Sequence, residues 1–367
     1  MFEVIFAIAV FLYFTQIAVF LIGANKRYER LGDDANLPSA SVIVAARNEE
    51  ENILACVRSL DKLEYPEDKL EIIIVDDFSE DATHKIVADF IKDKPRFKLI
   101  TPQETLVERP GKANALANGI KRSKGEIILT TDADCEVTPT WAKTLASYYV
   151  NEKISFVGGF TAQTRASLFE AMQSLDFIFL LGVASGTMNL GQSLSCIGNN
   201  MSFRRKAYDK VGGYEAIPFS VTEDFALVTK IAELPESENI YPVDKNALVR
   251  SKACKTVRDI YWQKKRWGTG GLASKFAGYF IMGLGFLTNL LLLVSPFFFS
   301  SEVLTIAFFK ILSDYLFLHS LHKKLGESFS FGEFLVFEIY YVLYVVMLPF
   351  VLAFTPRRIK WKAREYR

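Results

Sequence analysis

Two long apolar blocks bracket this chain, and neither can be left facing water. Residues 4–23 form an almost unbroken apolar run, and apolar residues dominate again from about residue 276 to a basic tail beginning at Arg357. Each block holds stretches near the roughly 20 residues that a helix needs to cross a bilayer, where a helix satisfies its own backbone polar groups. The sequence therefore describes an integral membrane protein with a polar middle, about residues 39–271.

The first run lacks the basic leader and small-x-small cleavage site of a signal peptide, so residues 1–25 read as a retained anchor. Lys26, Arg27 and Arg30 follow it directly. The excess of basic residues places the middle in the cytosol, with the amino terminus outside. The carboxy-terminal membrane region, 272–356, offers candidate spans near 278–299, 302–318 and 334–354. Three crossings from a cytosolic start leave the basic tail, 357–367, outside, against the same rule. Either one segment is re-entrant or interfacial, which Glu338 and the tyrosines of the last one allow, or the rule fails for this tail. The tail itself reads as a headgroup anchor without chemistry.

A net charge of +1 argues against a nucleic-acid partner, which normally meets a basic face. Cys56, Cys135, Cys196 and Cys254 show no close pair and no zinc spacing, and read as reduced thiols. His84, His319 and His322 are too scattered for a metal cluster, so any metal must be held mainly by oxygen.

From Ser39 to about Val150 strand and helix patterns alternate. Strands are expected at Ser41–Ala46, Glu71–Val75, Phe97–Ile100 and Glu126–Thr130, and helices at Glu49–Leu60, Asp81–Ile91, Lys112–Ile120 and after Pro139. Such alternation predicts an α/β fold with a parallel sheet wound in the Rossmann manner. No G-x-G-x-x-G follows the first strand, and Leu106 stands where a P-loop ending at Gly111-Lys112 needs glycine, so dinucleotide and P-loop ATPase readings fail. A helical pattern over Ser167–Val183 contains the apolar piece Leu175–Leu181, which reads as a buried helix too short to span.

Four signposts fall in order along the middle: Asp76-Asp77, Asp132-Ala133-Asp134, Thr222-Glu223-Asp224 and Gln263-Lys264-Lys265-Arg266-Trp267. Both aspartate pairs end apolar β-branched runs, where ligands of a parallel sheet bind. Asp132 and Asp134, at alternate spacing in a D-x-D, suit one hard cation that keeps several waters, as Mg²⁺ or Mn²⁺ does. A helix through Gln263, Arg266 and Trp267 puts all three on one side, with a planar donor set for phosphate and an apolar face for a sugar ring.

This ordered set resembles the membrane-bound family-2 glycosyltransferases, the group of cellulose, chitin and hyaluronan synthases and ceramide glucosyltransferases. The resemblance covers Ser41 through Trp267, ending in a Q-x-x-R-W motif, together with the anchor before and the spans after. It implies a GT-A fold with a mixed, mainly parallel sheet, a UDP-sugar donor, a divalent metal and inversion at the anomeric carbon. Carried onto these residues, it implies that Glu49 holds the ribose or nucleotide loop, that Asp77 contacts uracil, and that Lys112, Asp132 and Arg266 bind the nucleotide. Asp132 and Asp134 would hold the metal. Asp224 matches the general base, with Glu223 in support, and Gln263, Arg266 and Trp267 would meet acceptor or product. Ala45 stands where many relatives have proline, leaving that loop less rigid.

The small membrane part favours transfer of one sugar to a membrane lipid over a processive synthase that exports a growing glycan. A transporter would show internal repeats and more spans, and a catalytically dead subunit would lack one of these acidic residues.

Overall fold

The computed structural model describes residues 1–109, 111–272 and 274–355, and the backbone of 359–361 and 364–366. The side chains of the basic tail lie outside the described residues. In chain order the elements begin with α1 (Phe2–Ala24), β1 (Ala40–Ala46), α2 (Ile53–Asp61), β2 (Leu70–Asp76), α3 (Thr83–Ile91), β3 (Phe97–Ile100), α4 (Lys112–Arg122) and β4 (Ile127–Asp132). Next come β5 (Glu136–Val137), α5 (Trp141–Ser147), β6 (Ile154–Gly158), β7 (Thr161–Gln163), α6 (Leu168–Met188), β8 (Met201–Arg204), α7 (Arg205–Lys210) and α8 (Glu223–Ala232). The chain closes with β9 (Glu238–Ile240), β10 (Val249–Ser251), α9 (Val257–Gly271), α10 (Phe276–Val294), α11 (Ser301–Leu325), α12 (Phe331–Phe354) and the paired strands β11 (Ile359–Trp361) and β12 (Arg364–Tyr366).

These elements group into two compact units, and Lys26–Ala162 with Met188–Lys252 forms one of them. Its main sheet runs β3-β2-β1-β4-β8-β6-β9. β3, β2, β1 and β4 are parallel, and β8 lies antiparallel between β4 and β6. This is the mixed, mainly parallel sheet expected. Ile72, Ile73, Ile74 and Val75 are all fully buried, although successive residues point to opposite faces, so both faces are covered. Val42, Val44, Ile72 and Leu129 pack with Val57 and Leu60 of α2 and Trp141 and Leu145 of α5. On the other face α4 comes so close that a Cβ on Gly119 would lie 2.6 Å from the Ile43 side chain.

The chain winds outward from β1 through β2 to β3 and then returns to β4 on the opposite side of β1. The register aligns Ala46 with Asp76 and Ala45 with Asp132, so three strands end level at the switch of winding. A ligand cleft in an α/β sheet opens at that place. The helix expected from Glu49 starts instead at Ile53. Residues 47–52 form a loop in which Asn48 takes a φ of 51° and the Glu49 N–H donates to Thr83 Oγ1 at 2.7 Å.

The second unit comprises Met1–Asn25, Gln163–Thr187 and Ala253–Arg367. Among the described residues, five helical segments are long and apolar enough to cross a membrane: Phe2–Ala24, Leu168–Met188, Phe276–Phe298, Ser301–Leu325 and Phe331–Phe354. Leu168–Met188, α6, follows the helical pattern expected over Ser167–Val183 and runs on to Met188, which makes it long enough to span although its apolar centre, Leu175–Leu181, is not. Its flanks nevertheless argue against a crossing. β6 before it and β8 after it are hydrogen-bonded neighbours, with Phe156 opposite Phe203, and a crossing would separate them by a bilayer. About two thirds of the apolar stretch of α6 is buried, against a third or less in the other four. Gly186 lies against the backbone of α1, where a Cβ would come 2.6 Å from Phe20 Cα, and Gly182 faces Leu321 and Phe317 of α11. Small residues let helix backbones approach this closely.

Inside the helical unit sits a buried charge cluster. Lys310 and Asp314, one turn apart on α11, pair at 2.7 Å, Lys310 also pairs with Glu338 of α12, and Tyr13 of α1 donates to Asp314 at 2.7 Å. Glu338, which left room for an interfacial segment in the sequence, is therefore turned inward and partnered.

Candidate active site

Asp76 ends β2, and its Oδ1 accepts from the Ser79 N–H at 3.2 Å, closing the turn through Phe78, whose φ is 58°. The Asp77 N–H bonds back to the Ala46 carbonyl at 2.8 Å, and Arg47 donates to the Asp77 carbonyl at 2.9 Å. Glu49 is buried, with Oε2 accepting from Asn52 Nδ2 at 2.7 Å. The ends of β1 and β2 thus lock together, and Glu49 and Asp77 sit at adjacent strand ends.

At the end of β4 the Cys135 N–H reaches the Asp132 carbonyl at 3.1 Å, forming the turn that carries Asp134. Burial first, and then the charge of Asp132, push the Asp134 carboxyl above the usual carboxylate range. Lys112, at the start of α4, places its ammonium 2.6 Å from Asp132 Oδ1 and 3.4 Å from Glu223 Oε1. Burial works to lower the lysine's pKa, but the carboxylates of Asp132, Glu223 and Asp224 outweigh it and raise the pKa above its ordinary value.

Asp224 occupies the first turn of α8. Its Oδ2 accepts from the Gly198 N–H at 2.6 Å and its Oδ1 from the Phe225 N–H at 2.8 Å, so both oxygens are fixed in direction. Gly198 is held in turn by Thr130 Oγ1, which donates to its carbonyl at 2.9 Å. A Cβ at Gly198 would lie 3.1 Å from Asp224 Oδ2 and 3.4 Å from Lys112 Nζ. In the sequence Gly198 and Thr130 carry no mark of this role beyond a glycine leading two asparagines ahead of the acidic pair. Asn200, fully buried, donates to the Phe160 and Ala247 carbonyls and accepts from Trp141 Nε1, which fixes this segment.

The fold thus gathers Lys112, Asp132, Glu223 and Asp224 about Gly198. Replacing Gly198 by alanine is expected to push the Asp224 carboxylate aside and lower kcat about tenfold, since misplacement by a fraction of an ångström is costly in rate. Steady-state kinetics with a donor KM near that of the native enzyme would confirm it, and an unchanged kcat would contradict it.

Gln263, Arg266 and Trp267 lie on α9, which belongs to the helical unit. The Trp267 ring stacks on Phe177 with centroids 5.4 Å apart. All four cysteines are free, and burial chiefly, then nearby carboxylates, raises their thiols. They read as inert.

Among the described residues no group of three or more His, Cys, Asp or Glu side chains is arranged to hold a metal. The Asp132 and Asp134 pair still fits a cation of the Mg²⁺ kind, which takes one or two carboxylates and completes its shell with water and phosphate oxygens.

Comparison with known proteins bears on the family and the fold. Residues 41–212 match the family described as Glycosyl transferase family 2, and residues 127–356, more than half of the chain, match Glycosyl transferase family group 2. A beta-monoglucosyldiacylglycerol synthase of Trichormus variabilis is 28% identical over 267 residues, covering 69% of this chain and 53% of the relative. A poly-beta-1,6-N-acetyl-D-glucosamine synthase of Staphylococcus epidermidis is 29% identical over 236 residues, covering 63% and 54%. The chain thus spans about half the length of these relatives. Among solved structures, the mannosyltransferase PcManGT of Pyrobaculum calidifontis, determined with GDP-Man and Mn²⁺, superposes with a TM-score of 0.61 at 19% identity, covering 96% of this chain and 99% of that one. That likeness establishes the GT-A fold. With the family match spanning both the sheet and the later helices, the chain belongs to glycosyl transferase family group 2 and is a family-2 glycosyltransferase.

Proposed function

We propose that this enzyme transfers a sugar, with inversion, from a UDP-sugar to a membrane lipid at the cytosolic face of the membrane, using Mg²⁺ or Mn²⁺. The observation that carries this reading is the convergence of Lys112, Asp132, Glu223 and Asp224 about Gly198 at the level ends of β1, β2 and β4. The lipid acceptor is supported by the relative named for glucosyldiacylglycerol. The relative named for a poly-N-acetylglucosamine supports a second reading, a processive synthase.

In this mechanism Glu49 and Asp77 hold the ribose and uracil, and Lys112 turns from Asp132 toward the diphosphate. Asp132 and Asp134 hold the cation, which when bound supplies positive charge against the leaving diphosphate. Asp224 takes the proton of the acceptor hydroxyl as that oxygen bonds to the anomeric carbon and the bond to UDP breaks on the opposite face. Glu223 keeps Lys112 in reach of the donor. Arg266, with Gln263 and Trp267, meets the diphosphate and the acceptor.

Chelation tests the metal. Transfer should fall to background in EDTA and return with Mn²⁺, and undiminished transfer under chelation would contradict the reading. Because ionised Asp134 is disfavoured in the folded protein, Asp134→Asn should raise the thermal midpoint in EDTA and abolish the further rise that Mn²⁺ gives the native protein.

A further inference from the structure

Two consecutive residues of α6 grip two residues of α9. Asp176, 1% exposed, forms an ion pair with Lys264, 5% exposed, and Phe177 stacks on Trp267 at an interplanar angle of 12°. Lys264 and Trp267 are three residues apart on one helix and so share a face. The Lys264 ammonium lies 4.6 Å from the centroid of the Trp267 ring and 4.7 Å from that of Tyr344 on α12. Tyr344 in turn stacks on Tyr340 at 5.7 Å.

Stability is a poor reason for such a pair. A buried ion pair loses more hydration than a pair of apolar side chains of the same volume, and it recovers that loss only where every polar atom is satisfied. Here Asp176 Oδ1 is buried with no hydrogen-bond partner among the described residues. What the pair does provide is direction. Lys264 is drawn to one point by Asp176, and its charge then favours one placement of the indole, which Phe177 fixes by stacking on it.

We infer that Asp176, acting through Lys264 and together with Phe177, is a positioning residue that sets the orientation of Trp267 for the acceptor. The inference rests on the proposed role of Trp267 in meeting the acceptor, and it assigns a function to a carboxylate outside every motif in the sequence. Asp176 does not touch the reacting atoms.

The test uses the full chain in nanodiscs, labelled with 5-fluorotryptophan, with the Trp267 resonance identified by its loss in Trp267→Phe. In Asp176→Asn the Trp267 fluorine resonance should shift or broaden while that of Trp141 stays in place; an unmoved Trp267 resonance would overturn the inference. The kinetic arm uses dioleoylglycerol as the acceptor probe and the UDP-sugar giving the most transfer. Asp176→Asn should raise the acceptor KM about tenfold with the donor KM unchanged, and should add nothing further in a Trp267→Ala background. Additive effects would show that Asp176 acts independently of the indole, against the inference. If Asp176→Asn does not fold, Phe177→Leu takes its place, with the same expected shift and a smaller rise in KM. Should the native enzyme transfer nothing to dioleoylglycerol, the lipid reading fails while the fluorine spectrum still decides the positioning role.

Discussion

Asp224→Asn is expected to lower transfer by about a thousandfold, in the middle of the range that a positioned general base contributes. Asparagine keeps the shape of the side chain and one carbonyl oxygen to accept from the Gly198 N–H, so the segment before β8 stays in place. What is lost is the basic oxygen. Donor affinity should therefore remain within about twofold of native, because only the step that takes the acceptor proton is affected. Measured by transfer rate alongside isothermal binding of UDP, a large loss in rate with intact binding supports the base. Transfer near the native rate would remove Asp224 from that role.

The second large effect lies in the helical unit. Lys310→Met should destabilise the protein by about 3–5 kcal/mol, because removing one partner leaves uncompensated charge in the interior. Lys310 is 0% exposed and is the cation between Asp314 and Glu338, the latter on a neighbouring helix. Without it two carboxylates face each other among α1, α11 and α12. The triple variant Lys310→Met, Asp314→Asn, Glu338→Gln should recover most of the loss, since it removes the charge rather than stranding it. Thermal unfolding in nanodiscs reads both. A single variant as stable as the native protein would mean that the cluster carries no net interaction.

The parts of this protein that were legible in the sequence are those in which a local pattern dictates position. The β-branched runs ending at Asp76 and Asp132 forecast buried parallel strands, and alternation with helices forecast the winding that brings their ends level. Lys112 was legible only through the family motif, because a lysine at a helix start reads by itself as a solvated surface residue, and its pairing with Asp132 and Glu223 is a finding of the structure. Long-range pairings left no such trace. Asp176 and Lys264 are 88 positions apart, and within an apolar run a lone aspartate carries no sign of its partner. Lys310 and Asp314 stand one turn apart inside a candidate span, yet only the inward turn of Glu338 on another helix explains why α11 can carry them. Gly198 escaped notice because its role is to be small next to Asp224 and Lys112, which neighbouring residues do not reveal. The run of α6 past Val183 to Met188 is another such case, since what marks it is the packing of Gly186 against α1.

Product analysis separates transfer of one sugar from a UDP-sugar to a membrane lipid, the activity proposed for these residues, from polymer synthesis. The purified protein in nanodiscs with native membrane lipids, supplied with a panel of UDP-sugars and Mn²⁺, would be examined by mass spectrometry of its lipid and high-polymer fractions. The expected result is one lipid class gaining the mass of a single sugar, a product absent with Asp224→Asn. A ladder of repeating sugar masses in the polymer fraction, with no singly glycosylated lipid, would contradict it and establish a processive synthase.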